Sequence, residues 1–384
     1  MSCPILPGAE IGVLGGGQLG RMFTFAAARL GYRVAVLAPD DDTPAGQVAV
    51  REIRADYEDL DAIDQFARSV SVVTFEFENV PRATADAAAR HAPVRPAGRV
   101  LGTTQDRLHE KAALARLGLP LPAYAALESE ADLAGAVSRV PGPSVLKTAA
   151  WGYDGKGQVR VERGADVAAA WRALGRPRAV LEAFVPFVAE VSVVGVRGLD
   201  GAIALYDLFL NRHANHILDV SVWPAPVAES TRVAAHEIAR TVLEGLDVVG
   251  VLCVELFLLG DGRLLVNELA PRPHNSGHLS IDAHATGQFE QQVRAVCGLP
   301  LGSVEGIVPA AAMSNLMGEL WTHGAPDWTK ALACPVTRLH LYGKEVARPG
   351  RKMGHLTTLG RDVASAEARV REVRAAMTRA GSAS

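Results

Sequence analysis

Cysteine is scarce in this chain: Cys3, Cys253, Cys297 and Cys334 are scattered through 384 residues, with no C-x-x-C pair. That argues against a disulfide framework and a structural zinc site, and it fits a reducing, cytoplasmic setting. Long apolar runs are also missing. No window approaches the roughly eighteen uninterrupted apolar residues of a membrane span. The apolar start follows Glu10 and soon breaks into glycines, so no signal peptide is expected. Neither charge sign dominates, the formal net charge being -3. Such a chain has no general attraction for nucleic acid or acidic lipid, and any basic site must be local. What remains is the composition of a globular protein, long enough for two or three domains.

Glycine, by contrast, is concentrated. In "GVLGGGQLGRM" an apolar run ends at Gly15, Gly16 and Gly17, and Gly20 completes G-x-G-x-x-G. A strand, a glycine turn, a helix and then Asp40 behind a second strand form the dinucleotide-binding fingerprint, in which backbone N–H groups meet a phosphate at a helix N-terminus. Strands are expected at 11–14, 33–37 and 71–77, and helices near 19–30, 59–69 and 83–90. That alternation predicts an α/β domain with a parallel sheet. After the proline-punctuated "APVRPAG" (92–98) a second α/β region begins, with a helix ending near Gly118. The strand "SVLKTA" follows, joined by the glycine loop "GYDGKGQ" to "VRVE". Residues 180–269 are β-branched with one helical stretch near 228–246, which predicts a mixed or antiparallel sheet. The last piece carries strands near 307–316 and 336–342 and a helix near 364–380.

Several constellations carry chemistry. Asp261-Gly262 between apolar runs reads as a two-residue hairpin turn. If Gly260 pairs with Arg263, Glu255 falls opposite Glu268. Facing carboxylates destabilise a hairpin unless a cation lies between them, and two carboxylates with substrate phosphates suit magnesium. The alternatives are an arginine partner or another register. Lys147, just before the glycine loop, supplies a point charge beside amides that can approach phosphate oxygens. In "APRPHNSGH", Pro271 and Pro273 hold the chain extended and present Arg272, His274 and Asn275. Arginine's planar fork suits a small oxyanion. "VVTFEFENV" places Glu76, Glu78 and Asn79 at the end of a strand, on the ligand-binding edge of an open α/β sheet or as a cap for the next helix. "KEVARPGRKMGH" gathers Lys344, Arg348, Arg351 and Lys352, as a solvated face or as an anion clamp.

Taken in order, "GVLGGGQLGRM", "VVTFEFENVP", "QDRLHEK", "LKTAAWGYDGKGQ", "NRHANHIL", "VNELAPRPHNSGH" and "RPGRKMGH" resemble the ATP-grasp ligases, and within them the N5-carboxyaminoimidazole ribonucleotide synthetase family of purine biosynthesis. The resemblance implies a Rossmann-like preATP-grasp parallel sheet in 1–104, an α+β ATP-grasp domain in 105–300 and a small β-rich C-terminal domain in 301–384. It implies joining of 5-aminoimidazole ribonucleotide, bicarbonate and MgATP into the N5-carbamate by way of carboxyphosphate, with manganese as an alternative metal and a homodimer as the assembly.

Residue by residue, the resemblance places ATP at Arg107 and Lys147, at the loop residues Gly152, Tyr153, Asp154, Gly155, Lys156, Gly157 and Gln158, and at Glu182, Ala183, Phe184 and Val185. Glu190, His213, Asn267 and Glu268 complete that set. The metal falls to Glu255 and Glu268, and bicarbonate or carboxyphosphate to Arg272, His274, Asn275 and Lys352. The ribonucleotide falls to Gly17, Gln18, Leu19, Glu76, Tyr153 and Asp154, with Lys344, Arg351 and Lys352 on its phosphate. Competing readings are the formate-dependent glycinamide ribonucleotide transformylase and a nicotinamide-dependent dehydrogenase. "GGGQLGRM", "FEFENVP" and "HNSGH" favour the carboxylating family over the first; the second leaves the glutamate pair and the second glycine loop without a purpose.

Overall fold

The computed structural model describes residues 3–150, 157–162, 166–175 and 177–378. Strands β1 (Glu10–Leu14), β2 (Arg33–Ala38), β3 (Arg51–Arg54) and β4 (Val72–Phe75) form a parallel sheet in the order β3-β2-β1-β4. Alternate residues face opposite layers, and both layers are covered. Val13, Val34 and Val36 pack against α1 (Gln18–Arg29), whereas Leu14, Ala35 and Leu37 pack against α2 (Leu60–Arg68) and α3 (Arg82–Ala88). The sequence pattern missed β3, because "REIR" is a charged edge strand without an apolar run.

Two helices, α4 (Gly98–Thr104) and α5 (Arg107–Arg116), lead into an antiparallel sheet of β5 (Tyr124–Leu127), β6 (Ser144–Thr148), β7 (Gln158–Val161) and β8 (Ala179–Ala183), ordered β5-β8-β6-β7. Helices α6 (Leu133–Arg139) and α7 (Val167–Ala173) cover one face of it. The third and largest sheet holds β9 (Phe187–Arg197), β10 (Ile203–Leu205), β11 (Phe209–Ala214) and β12 (Ile217–Trp223). After α8 (Glu229–Gly245) it continues with β13 (Gly250–Leu259) and β14 (Leu264–Ala270). Helices α9 (Ser280–Ala283) and α10 (Gln288–Cys297) follow, and α10 packs its Phe289 and Val293 into the core around α1.

The C-terminal strands β15 (Ala310–Met317), β16 (Thr337–Leu341) and β17 (Lys352–Gly360) extend the third sheet through the β12–β15 pairing, with α11 (Trp328–Leu332) and α12 (Val363–Met377) beside them. Strand β17 was not expected. Its start overlaps the basic run, so that run ends inside a sheet and places Lys352 at the first strand position. Among the described residues no helix is long and apolar enough to cross a membrane.

Candidate functional site

A cleft of about 1140 Å³ opens where the three sheets meet. Its wall carries Gln18 and Leu19 from α1, Glu76 from just after β4 and Arg107 from α5. The second sheet and its exit supply Lys147, Gln158, Glu182, Ala183, Phe184 and Val185. The third supplies Glu190, His213, Glu255, Asn267, Glu268, Arg272, His274, Asn275 and Lys352. Gly17, Gly157, Lys344 and Arg351 are not among the residues that line the cleft. Gly152, Tyr153, Asp154, Gly155 and Lys156 lie outside the described residues.

The opening glycine motif behaves differently from the phosphate-holding turn expected of it. The Gly17 and Gly20 amides, the second at 2.9 Å, donate to the carboxylate of Glu76 at the end of β4. Gly15 has φ +116, which L side chains rarely adopt, and a Cβ there would lie 2.3 Å from Glu76 Cγ. The glycines therefore make room for a carboxylate, whose charge the helix N-terminus favours. Burial pushes the Glu76 pKa up, and these amides oppose it. The basic group lies apart from these glycines in the sequence, on the approach to β17. There Lys344 Nζ donates to the Lys352 carbonyl at 2.8 Å and Arg351 donates to the Val346 carbonyl at 2.7 Å. Burial and the neighbouring Arg351 charge lower the Lys344 pKa to about 8.

On the opposite wall Lys147 of β6 lies 3.2 Å from Glu182 Oε2. Lys111 of α5 lies 3.2 Å from Glu182 Oε1, with its side chain only 1% exposed. Burial raises the Glu182 pKa, but the two ammonium charges outweigh it and hold the pKa below the usual carboxylate value. Asp106 caps α5 by accepting from the Leu108 and His109 amides, and so sets the orientation of Arg107 toward Thr148 and Glu268.

Glu255 and Glu268 do face each other across β13 and β14, although two deviations combine to bring this about. The turn spans three residues, pairing Leu259 with Arg263. A bulge then leaves Asn267 unpaired and takes up the extra residue, so the register returns at Glu255 and Glu268. Burial and the Glu255 charge push the Glu268 pKa up. Burial also opposes charge on Glu255, but His274, with Nε2 3.0 Å from Glu255 Oε1, brings its pKa down. Two carboxylates pulled in opposite directions make an oxygen-rich donor set that suits a hard divalent cation. A second group shares Glu255: ligand atoms of Glu190, His213 and Glu255 lie within 4.8 Å of one another, His213 Nδ1 being 3.3 Å from Glu190 Oε1.

Between these walls stands Arg272. Its Nε and NH2 engage both oxygens of Glu78, and NH1 donates to the Pro273 carbonyl at 3.2 Å. The fork expected to hold an oxyanion is thus closed on its Nε edge by a carboxylate, leaving the outer NH1 and NH2 hydrogens for a ligand. Asn275 Nδ2 is buried and has no hydrogen-bond partner among the described residues, a donor available to an oxyanion at the same place. Burial opposes charge on His274, while the neighbouring Cys253 and Glu255 favour it, and the balance lifts its pKa to about 10.

Sequence reasoning passed over Lys111, Gln288 and Glu110, and named Glu78 without its partner. Glu110 accepts from the Leu269 amide at 3.0 Å, and burial, against the pull of Lys111, raises its pKa to about 8. Gln288 grips the His274 peptide at both ends, accepting from its N–H at 2.8 Å and donating to its carbonyl at 2.7 Å. Lys111 and Glu110 sat in "RLHEK", which reads as an ordinary charged helix face. Only a helix charge at a buried position would have marked them.

A parallel sheet, an antiparallel sheet bearing a lysine, and a carboxylate hairpin around one cleft make this an ATP-grasp ligase. Residues 112–289 match the ATP-grasp domain, 9–105 the ribonucleotide synthetase preATP-grasp domain, and 311–369 the phosphoribosylaminoimidazole carboxylase C-terminal domain. The N5-carboxyaminoimidazole ribonucleotide synthase of Brucella melitensis is 44% identical over 356 residues, covering 92% of this chain and 97% of that protein. The Staphylococcus aureus N5-carboxyaminoimidazole synthetase complexed with ADP superposes with a TM-score of 0.91 at 33% identity, covering 97% of this chain and 99% of that one. The enzyme from Aspergillus clavatus in complex with ADP and 5-aminoimidazole ribonucleotide has a TM-score of 0.86 at 30% identity, again covering 97% and 99%. The chain belongs to the N5-carboxyaminoimidazole ribonucleotide synthase family.

Proposed function

We propose that this protein carboxylates the amine of 5-aminoimidazole ribonucleotide, using bicarbonate and ATP, to give N5-carboxyaminoimidazole ribonucleotide, ADP and phosphate in purine biosynthesis. The observation that carries the reading is one cleft joining three chemistries: Lys147 with the glutamate pair, then Arg272, His274 and Asn275, then the basic group at Lys344 and Lys352. The three matched segments support boundaries near 104 and 300, and the family expectation of a homodimer belongs to the same reading.

Bicarbonate needs activation because hydroxide is a poor leaving group. A bicarbonate oxygen attacks the γ-phosphorus, the bond to ADP breaks, and carboxyphosphate forms. The ribonucleotide amine then attacks the carboxyl carbon; the C–N bond forms, phosphate departs with the C–O bond pair, and the amine loses a proton. Lys147 would meet charge on the transferring phosphoryl group, where electrostatic stabilisation dominates. Glu255 and Glu268 would hold magnesium, which would neutralise phosphate charge when bound. The free hydrogens of Arg272 and the Asn275 amide would orient bicarbonate, and exclusion of water would protect the labile intermediate. Lys344, Arg351 and Lys352 would take the ribonucleotide phosphate, with the Glu76 loop against the rest of that substrate.

The test is phosphate release from ATP with bicarbonate, with and without 5-aminoimidazole ribonucleotide. Ribonucleotide-dependent release coupled to the N5-carbamate supports the reading. Turnover with formate and glycinamide ribonucleotide instead would overturn it.

A further inference from the structure

Lys111 carries a buried charge to which the chemistry above gives no task. It lies on α5 one turn beyond Arg107, so the two cations share a helix face. The helix meets the second sheet through Leu108, which packs with Val180 of β8. On that sheet Glu182 of β8 pairs with Tyr124 of β5 on one side and Val145 of β6 on the other, and Lys147 stands two residues along from Val145. Two ammonium groups thus meet one carboxylate, one at each oxygen, both at 3.2 Å. They differ in what else they reach. Lys147 and Glu182 line the cleft and Lys111 does not. They differ also in alignment. Lys147 Nζ donates a hydrogen bond to Glu182 Oε2, whereas Lys111 Nζ and Glu182 Oε1 have no aligned hydrogen-bond partner among the described residues. Lys111 Nζ lies 5.9 Å from the centroid of the Tyr124 ring, within reach of its π face.

We propose that Lys111 is a positioning residue for Lys147: as the resident counter-ion of Glu182, it leaves Lys147 free to exchange that carboxylate for a nucleotide phosphate. The Glu182 side chain is 3% exposed, and removing the only partner of a carboxylate so buried would leave an uncompensated charge. With Lys147 as that only partner, each phosphate contact Lys147 made would strip Glu182 of its counter-charge, and nucleotide binding would carry the cost. With Lys111 in place the carboxylate keeps one cation whichever way Lys147 turns. The unaligned contact at Oε1 leaves room for the adjustment, because an ammonium has three donors and can align on Glu182 once Lys147 has left. The surplus charge has the right sign and the right place. Two lysines on one glutamate leave one net positive charge, and of the two it is Lys147 that borders the cleft. The inference deepens the nucleotide role given to Lys147 above and rests on it.

The experiment measures binding of AMPPNP, a non-hydrolysable ATP analogue, to the full chain with magnesium by calorimetry. Lys111→Met keeps most of the side chain and removes its charge. It should weaken AMPPNP about tenfold or more, the worth of one hydrogen bond to a charged group, and raise the KM for ATP while the KM for ribonucleotide stays in place. Glu182→Gln lifts the constraint, since no buried carboxylate is then left to compensate. Adding Lys111→Met to Glu182→Gln should therefore change the affinity by less than about twofold, the tolerance of sites that do not couple. A purely structural Lys111 would weaken the nucleotide equally in both backgrounds. If Lys111→Met does not fold, Lys111→Gln, which keeps a donor without a charge, takes its place. Wild-type affinity in the folded single variant, or an equal loss with and without Glu182→Gln, would overturn the proposal alone. A wild type that binds no AMPPNP would defeat the nucleotide reading of the cleft and the proposal with it.

Discussion

Glu78→Gln isolates the contact between the first sheet and the reacting centre. Burial pushes the Glu78 pKa up, but the Arg272 charge outweighs it and brings the carboxyl from 4.5 down to about 2. At about 1.4 kcal/mol per unit that difference has a ceiling of roughly 3.4 kcal/mol. The Glu78 side chain is 34% exposed and Arg272 16%, so solvent screening reduces the figure; about 1–2 kcal/mol is expected. The sign follows from the depressed folded pKa. The stabilisation is present above the unfolded value near 4.5 and is lost as pH falls toward about 2. Denaturant unfolding of wild type and variant at pH 7, 5 and 3.5 should show a gap that shrinks with acid. In the phosphate-release assay, a neutral amide holds the guanidinium with roughly half the strength of a carboxylate. A fall in kcat of about tenfold, or 1.4 kcal/mol, is expected. A pH-independent stability gap together with wild-type kcat would refute the claim that Glu78 sets the arginine.

Glu268→Gln should remove nearly all magnesium-dependent turnover while circular dichroism and melting temperature stay close to wild type; ordinary activity would remove Glu268 from the metal site. Gly17→Ala would put a Cβ 2.4 Å from Glu76 Oε1, so ribonucleotide stimulation of ATP turnover should drop while ADP binding, read by calorimetry, is retained. Lys344 is charged below its pKa of about 8 and loses that charge as pH rises through it. The KM for ribonucleotide should therefore climb between pH 7 and 9, and Lys344→Arg, which stays charged, should flatten the climb.

Much of the site was legible because its chemistry is carried by short motifs. Lys147 before a glycine loop, the glutamates of a hairpin, and "PRPHN" each place reactive groups within a few residues, and local chain geometry presents them. The glutamate pairing was legible for an incomplete reason, since a longer turn and a bulge at Asn267 offset each other. Motif reading missed a donor's protein partner where that partner lies far along the chain. Glycine amides seen alone suggest a phosphate, but β4 returns Glu76 to them from 56 residues away. Arg272 seen alone suggests a free fork, but Glu78 reaches it from 194 residues away.

By itself, then, the amino-acid sequence determined the alternating strands and helices of the first domain, the antiparallel run that follows, and the identity of the cationic and carboxylate groups that line the cleft. These depend on periodicity and on side chains close in the chain. Tertiary structure decided which charges are neutralised and which donors remain free. Lys111 and Lys147 converge on Glu182, Gln288 bonds the His274 peptide, and β17 carries Lys352 into the cleft. Burial sets the worth of each such pair, and burial exists only once the sheets have met.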